Sequence, residues 1–304
     1  MRIKRKVIQI AGSTHLVSLP KAWIDQQKIM KGDELDLLVE GNHVVVSTST
    51  EAKPETIKID VSDAHMFSFR FLAAIYKSGY DEVELQLSEK TSLKELSRQI
   101  NSMLPGYELV DQRGRVCVIK NISKGLDSEF DTILRKIFLI TNSMAKNTLD
   151  ALKTKDYNLL NDTILLEETT NRFCNFCERM LNKKGYKNAK KTSFVYNIVW
   201  ELEKVTDQFK YLNVYLLENR NAKIGKEAFD LFSRVNTLFN MFYELFYKFD
   251  SEKVQTIAAE RKAIVAECNR LFGSKTTDPK IVHHLSNVTQ MVFNMVGSYL
   301  GTTF

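Results

Sequence analysis

Glycine and proline are scarce in this chain, which has 12 glycines and 4 prolines among its 304 residues. Turn-rich all-β proteins need many such residues, so their scarcity argues against that class and favours long helices. Apolar residues make up 44% of the chain and charged residues 26%, which is an ordinary folded composition rather than a disordered one. A chain of this length is expected to form two or three domains.

Long apolar runs are also missing. No stretch of about 18 apolar residues is present, so we expect no membrane insertion. The basic N-terminus leads into a short β-like run and not into the apolar core of a signal peptide. Four cysteines without a secretion signal are typical of a reducing compartment, so we expect a cytoplasmic protein. Cys174 and Cys177 form one CxxC pair in a strongly helical stretch, which favours helix packing over a zinc or redox site.

The periodicity of the apolar residues divides the chain into three parts, at 1–50, 55–122 and 126–304. The first part has short strand-like runs separated by turn-forming pairs, with Pro20 opening a short helical turn. The second part follows the order β-α-β-α-β-β, which predicts a small sheet with two helices on one face. From residue 126 onward the period is helical, and about six helices are predicted.

The six helices contain an internal repeat. Asp156 and Asp250 each stand before the second helix of one half of this region. The number of residues that separates them also separates Cys174 from Cys268. A shorter spacing aligns the apolar positions of the two third helices, because the linker 182–192 is nearly absent from the second half. We therefore predict two three-helix units in tandem, at about 126–218 and 226–300.

The N-terminus carries basic residues and short polar side chains suited to phosphate contacts. They stand in a fixed order with two motifs, LPKAW at 19–23 and KGDEL at 31–35. This order resembles the AbrB/SpoVT/MazE superfamily over about residues 3–47. The resemblance implies a swapped-hairpin β-barrel built by two chains, which binds double-stranded DNA. The residues expected to face or approach DNA are Arg2, Lys4, Arg5, Lys6, Ser13, Thr14, His15, Ser18 and Lys21.

A pair of carboxylates lies in the segment ELEKVTD at 201–207. Glu203 and Asp207 are one helical turn apart and lie off the apolar face, where two carboxylates could share a divalent metal or iron. The competing interpretation is an exposed acidic stripe offset by Lys204 and Lys210.

The tandem three-helix layout with ELEKVTD resembles the PhoU family of phosphate-signalling proteins, over roughly 126–304. That family has an E/D-x-x-x-D metal motif in each bundle. Here Glu203 and Asp207 match in the first unit, whereas Ser286 and Gln290 take the corresponding positions in the second. The α/β segment resembles the connector of archaeal proteins that join an AbrB-like domain to a PhoU-like one.

Together these patterns predict a multidomain α+β protein: an AbrB-like barrel, a small βαβαββ domain and PhoU-like tandem helix bundles. The resemblances imply a homodimeric DNA-binding transcriptional regulator of phosphate uptake or homeostasis. The alternative is an adaptor that binds a phosphate transporter or signalling protein, with the barrel serving only for dimerisation. An enzyme is not expected, because the sequence has no nucleophile elbow, no phosphate-cradling glycine loop and no His/Cys ligand set.

Overall fold

The computed structural model describes residues 3–10, 12–40, 43–48, 54–63, 69–123 and 129–304, and the chain divides into two compact units, Met1–Pro54 and Glu55–Phe304. Arg2, one of the residues expected to approach DNA, lies outside the described residues. Within the described part of the chain, no helix combines the length and the apolar character that a membrane crossing would require.

The first unit consists of two antiparallel hairpins and one short helix. Pro20 occupies the position before the helix, not the first helical position expected from the sequence, and its carbonyl accepts the first helical hydrogen bonds from Trp23 and Ile24. The described strands form two separate two-stranded sheets and no closed barrel within one chain. The elements are β1 (Ile8–Ile10), β2 (Thr14–Leu16), α1 (Lys21–Gln27), β3 (Leu35–Glu40) and β4 (His43–Thr48).

The α/β part of the second unit has the predicted order β-α-β-α-β-β. Its sheet order is β5-β6-β8-β7, with β5 parallel to β6 and the other pairs antiparallel. Alternate strand residues and the apolar residues of both helices share one core, so the helices cover one face of the sheet. The elements are β5 (Thr56–Val61), α2 (Phe69–Lys77), β6 (Glu82–Leu87), α3 (Leu93–Met103), β7 (Tyr107–Arg113) and β8 (Val116–Asn121).

Six long helices form the rest of the second unit around one continuous apolar core. The aromatic residues of the fourth helix belong to this core: Phe232, Phe239 and Phe242 are buried, and the partly buried Phe229 and Phe246 pack against the core. The helices are α4 (Phe130–Thr154), α5 (Tyr157–Lys184), α6 (Thr192–Glu218), α7 (Lys226–Tyr247), α8 (Ser251–Phe272) and α9 (Pro279–Thr303).

The internal repeat is visible in the geometry. Asp156 caps α5 and Asp250 caps α8 in the same way, each carboxylate accepting the backbone N–H groups two and three residues later. Cys174 and Cys268, which the repeat places at equivalent positions, are both fully buried. The third helices of the two repeats, α6 and α9, pack along one another, with a hydrogen bond between Asn197 and Ser298.

The α/β part is fixed to α5 by a buried arginine. Arg179 is 2% exposed and donates to the Tyr76 carbonyl at 2.8 Å and to Asp81 at 3.0 Å. Its guanidinium also lies over the rings of Tyr76 and Tyr107, at 5.0 and 5.2 Å from their centres. Lys183, one turn further along α5, donates to the same Asp81. These contacts join the sheet part and the helices in one unit.

Candidate functional site

The residues expected to face DNA lie around the first hairpin. Lys4, Arg5 and Lys6 precede β1 and are exposed. Gly12 has a positive φ of 79°, which allows the tight turn between β1 and β2. In the register of this hairpin Gln9 pairs with His15. The other expected residues, Ser13, Thr14, Ser18 and Lys21, are also exposed.

Both hairpins of the first unit have an apolar face. In the first hairpin Ile8 pairs with Leu16, and both side chains are exposed. In the second, β3 and β4 place their apolar residues opposite one another, since Leu37 pairs with Val46 and Val39 with Val44. Residues two apart on a strand share a face, so these four side chains form one apolar surface.

That apolar surface is uncovered in a single chain. Leu37 is 66% exposed and Val39 is 71% exposed, and none of the described residues of Met1–Pro54 is buried. Paired exposed apolar faces of this kind mark surfaces that are covered by another molecule. Isolated hairpins are also marginally stable in water. The first unit therefore has the pattern of a module that completes its core with a partner.

A second cluster links α5 to α6 through alternating charges, and we call it the lysine–carboxylate network. Lys204 donates to Glu203 at 3.0 Å and to Asp207 at 3.3 Å. Lys210 donates to Asp207 at 3.1 Å and to Glu167 of α5 at 2.6 Å. The carboxylates are largely buried, which departs from the exposed acidic stripe considered as the competing interpretation.

The electrostatics of the network favour charged lysines. Burial raises the pKa of Glu167, and the hydrogen bond from Lys210 acts in the opposite direction. Burial alone would lower the pKa of Lys204 and of Lys210, but their bonds to the carboxylates outweigh it and both pKa values are raised. The two ammonium groups thus supply the positive charge that a bound cation would supply to Glu203 and Asp207.

The second repeat has no such network at the equivalent place. Arg261 takes the position of Glu167 there and donates to Gln290 at 2.8 Å, while its guanidinium lies 5.1 Å from the ring centre of Phe293. Within the described residues, no group of three or more His, Cys, Asp or Glu side chains is arranged to hold a metal ion.

We expect the lysines to keep divalent metal off Glu203 and Asp207. Replacing Lys204 and Lys210 by methionine should create Mn²⁺ binding that the wild-type chain lacks, because the carboxylates lose their counterions. Isothermal titration calorimetry with Mn²⁺ measures this.

A suitable control for the metal experiment is Lys253→Met, which removes a half-buried lysine paired with Glu244 at 2.6 Å, outside the lysine–carboxylate network. Mn²⁺ binding by the wild-type chain that disappears in Asp207→Asn would contradict the expectation and establish the carboxylate pair as a metal site.

Three lysines at the end of α5 and in the segment that follows contact other parts of the second unit. Lys187 donates to Asp131 at 2.5 Å, and Lys191 donates to the carbonyl of Thr302. Lys183 contacts Asp81 as described above. These contacts agree with an ordinary connecting segment. The CxxC cysteines are fully buried, and burial raises the pKa of both thiols, as expected for core residues.

One surface was not expected from the sequence. Trp200, Tyr211 and Val214 are exposed large apolar residues that lie on one face of α6, and we call them the α6 stripe. Lys204 lies 4.9 Å from the ring centre of Trp200, and Lys210 lies 4.9 Å from that of Tyr211. The stripe therefore runs along the lysine–carboxylate network. The sequence does contain a signal for the α6 stripe, because helical spacing places these apolar residues opposite the core residues of the same helix.

Comparison with known proteins gives a likeness at the level of structure alone. No family model matches the chain, and no curated protein matches it. Among solved structures, the chain is similar to the phosphate transport system regulatory protein PhoU from Streptococcus pneumoniae, with a TM-score of 0.46 and 14% sequence identity. The similarity covers 57% of this chain and 93% of that protein's chain.

Proposed function

We propose that the chain is a dimeric regulatory protein whose N-terminal unit joins two copies and whose helical domain binds a partner protein. The observation that carries this proposal is the uncovered apolar face of the hairpins, formed by Leu37, Val39, Val44 and Val46. A second copy of the chain offers the same face, so two copies would cover each other's apolar residues. The AbrB-like order of motifs in the sequence supports the same arrangement.

The α6 stripe supports the adaptor role of the helical domain. Exposed tryptophan and tyrosine side chains are enriched at the centres of protein interfaces, because they bury a large area at low entropic cost. Trp200 and Tyr211 are about two-fifths and one-half exposed in the single chain. The proposed partner is a transporter or signalling protein of phosphate uptake, which rests on the PhoU-like pattern of the sequence.

DNA binding by the N-terminal unit is a second candidate, and a separate observation favours it. Lys4, Arg5, Lys6 and Lys21 are exposed, and within the described part of the chain none of them forms an ion pair with a carboxylate. Unpaired, exposed cations are available to release counterions from DNA phosphates. In this case the same dimer would be a transcriptional regulator.

One purification experiment separates the two roles. The tagged full chain is isolated from phosphate-rich and phosphate-starved cells, and both the co-purifying DNA and the co-purifying proteins are identified. The adaptor role predicts a phosphate-transport or signalling protein that is lost in Trp200→Ala/Tyr211→Ala and retained in Arg5→Gln/Lys6→Gln. DNA binding predicts an enriched genomic site with the opposite dependence, and a salt slope that falls by about two per chain in the Arg5/Lys6 variant.

Each result of that purification has a defined meaning. A protein partner that still co-purifies with the Trp200→Ala/Tyr211→Ala variant would contradict the proposal that the α6 stripe is the adaptor surface. A DNA site that is enriched equally with the Arg5→Gln/Lys6→Gln variant would show that these two residues do not contact DNA phosphates. The absence of both an enriched protein and an enriched site, in either growth condition, would overturn the proposed regulatory role.

A further inference from the structure

A cavity of 340 Å³ opens at one end of the helical domain. It lies where α4 and α6 begin and where α7 and α9 end, and four aromatic side chains contribute to its walls: Tyr186, Phe246, Tyr247 and Tyr299. This volume is at the lower end of the range for small-molecule sites, about 300–1,000 Å³, and suits a ligand with a single ring better than a dinucleotide.

The walls of the cavity continue an aromatic cluster of the core. Phe246 lies 5.1 Å from Tyr247 and 5.7 Å from Tyr299, measured between ring centres. Phe138, which is fully buried, lies 5.1 Å from Phe246 on the core side. Aromatic pairs favour tilted and edge-on contacts at such distances, so a further ring placed in the cavity would extend the cluster.

The mouth of the cavity carries one negative and one positive side chain. Lys187 donates to Asp131 at 2.5 Å, and the two side chains are 72% and 55% exposed, respectively. Exposed ion pairs are weakly held, so each partner is free to exchange the other for a ligand group of the same charge. Burial raises the pKa of Tyr186 and of Tyr247, which keeps their hydroxyl groups available as hydrogen-bond donors.

We propose that this cavity binds an aromatic α-amino acid. The ring packs in the cavity against Phe246, Tyr247 and Tyr299, the α-ammonium group pairs with Asp131, and the α-carboxylate pairs with Lys187. An α-amino acid carries both charges on one carbon, so it replaces the Asp131–Lys187 bond with two bonds of the same kind. The site lies outside the N-terminal unit and the α6 stripe, so it stands independently of the proposed function.

Calorimetric titration of the full chain with three ligands tests the site. L-Phenylalanine has the ring and both charges, phenethylamine lacks the carboxylate, and 3-phenylpropionate lacks the ammonium group. We expect L-phenylalanine to bind most tightly. Lys187→Gln should weaken L-phenylalanine and phenylpropionate about tenfold and leave phenethylamine bound at least as tightly, because it frees Asp131. Asp131→Asn should weaken L-phenylalanine and phenethylamine and leave phenylpropionate bound at least as tightly, because it frees Lys187.

Two further variants control for folding and for general charge effects. Arg113→Gln removes one partner of an exposed ion pair on the sheet, at 2.8 Å from Asp111, and should change none of the three affinities. Tyr247→Leu should weaken all three ligands roughly threefold to tenfold, since it removes one ring from the wall. Circular dichroism and thermal melting identify any variant that fails to fold.

The proposal is overturned if L-phenylalanine, L-tyrosine and L-tryptophan all give no saturable heat at concentrations of roughly 10 mM. It is also overturned if binding is unaffected by both Asp131→Asn and Lys187→Gln, or if phenethylamine or phenylpropionate binds as tightly as the amino acid. A ligand affinity that follows the charge pattern above, with Arg113→Gln unchanged, establishes the site.

Discussion

Replacing Arg179 by methionine is expected to lower the free energy of unfolding of the second unit by about 3–5 kcal/mol. Arg179 is almost fully buried and donates to Asp81 and to the Tyr76 carbonyl, so its loss leaves that carbonyl without its side-chain donor and removes one of the two cations that contact the largely buried Asp81. Lys183 still contacts Asp81, but it does not reach the Tyr76 carbonyl in its present position. Urea-induced unfolding followed by circular dichroism measures the difference.

The matched control for this substitution is Arg172→Met on the same helix. Arg172 lies 5.5 Å from the ring centre of Phe173 and is only half-buried. Its replacement should cost less than about 1 kcal/mol, as is usual for exposed cation–π contacts. A cost at Arg179 no larger than that at Arg172 would show that the α/β part is held to α5 by other contacts.

Replacing Leu37 and Val39 together by lysine is expected to weaken dimerisation by at least about 100-fold. In the single chain these side chains are mostly exposed, so the substitution adds no buried charge there. In the dimer that we propose, both copies would bury unpaired ammonium groups, at a cost of several kcal/mol. Sedimentation velocity over a range of protein concentrations measures the dissociation constant.

Met30→Lys is the control for the dimer experiment. Met30 is 74% exposed, lies in the turn before β3 and is not one of the paired residues of the β3–β4 hairpin. Its replacement should leave the dissociation constant within about threefold of that of the wild-type chain. Equal weakening by Met30→Lys and by the Leu37/Val39 change would mean that added charge, and not the apolar face, determines the association.

Helix positions and the repeat were accessible from the sequence because they depend on local signals. The 3.6-residue spacing of apolar residues marks the buried face of each long helix. Asp156 and Asp250 cap their helices through their own neighbours two and three residues later, so the caps need no distant contact. The same holds for the β-α-β-α-β-β order, where alternation within each strand identifies the face that packs on the helices.

The contacts between distant segments were not accessible in the same way. Arg179 meets Asp81 across nearly 100 residues of sequence, and no local pattern distinguishes it from an exposed arginine. Similarly, the pairing of Lys210 with Glu167 depends on how α5 and α6 are rotated against one another. The cavity is assembled from four helix ends and a connecting segment, and only packing brings its aromatic and charged residues together.

The predicted barrel cannot be observed in a single chain, because the resemblance implies that two chains build it. One chain contributes two hairpins with apolar faces, and the resemblance in the motifs LPKAW and KGDEL implies how two copies would combine. The DNA-facing positions depend on that combination, since the surface would be built by both chains. Exposure of Lys4, Arg5 and Lys6 in one chain is compatible with this arrangement and stays a prediction about the dimer.

The molar mass of the full chain in solution is the most direct test of the account. Light scattering at concentrations of tens of micromolar, roughly the range where a stable homodimer is intact, gives this mass without reference to shape. One chain has a mass of 35.0 kDa. The account predicts twice that value for the wild-type protein and the single-chain value for the Leu37/Val39 variant. A wild-type protein with the mass of one chain would contradict it.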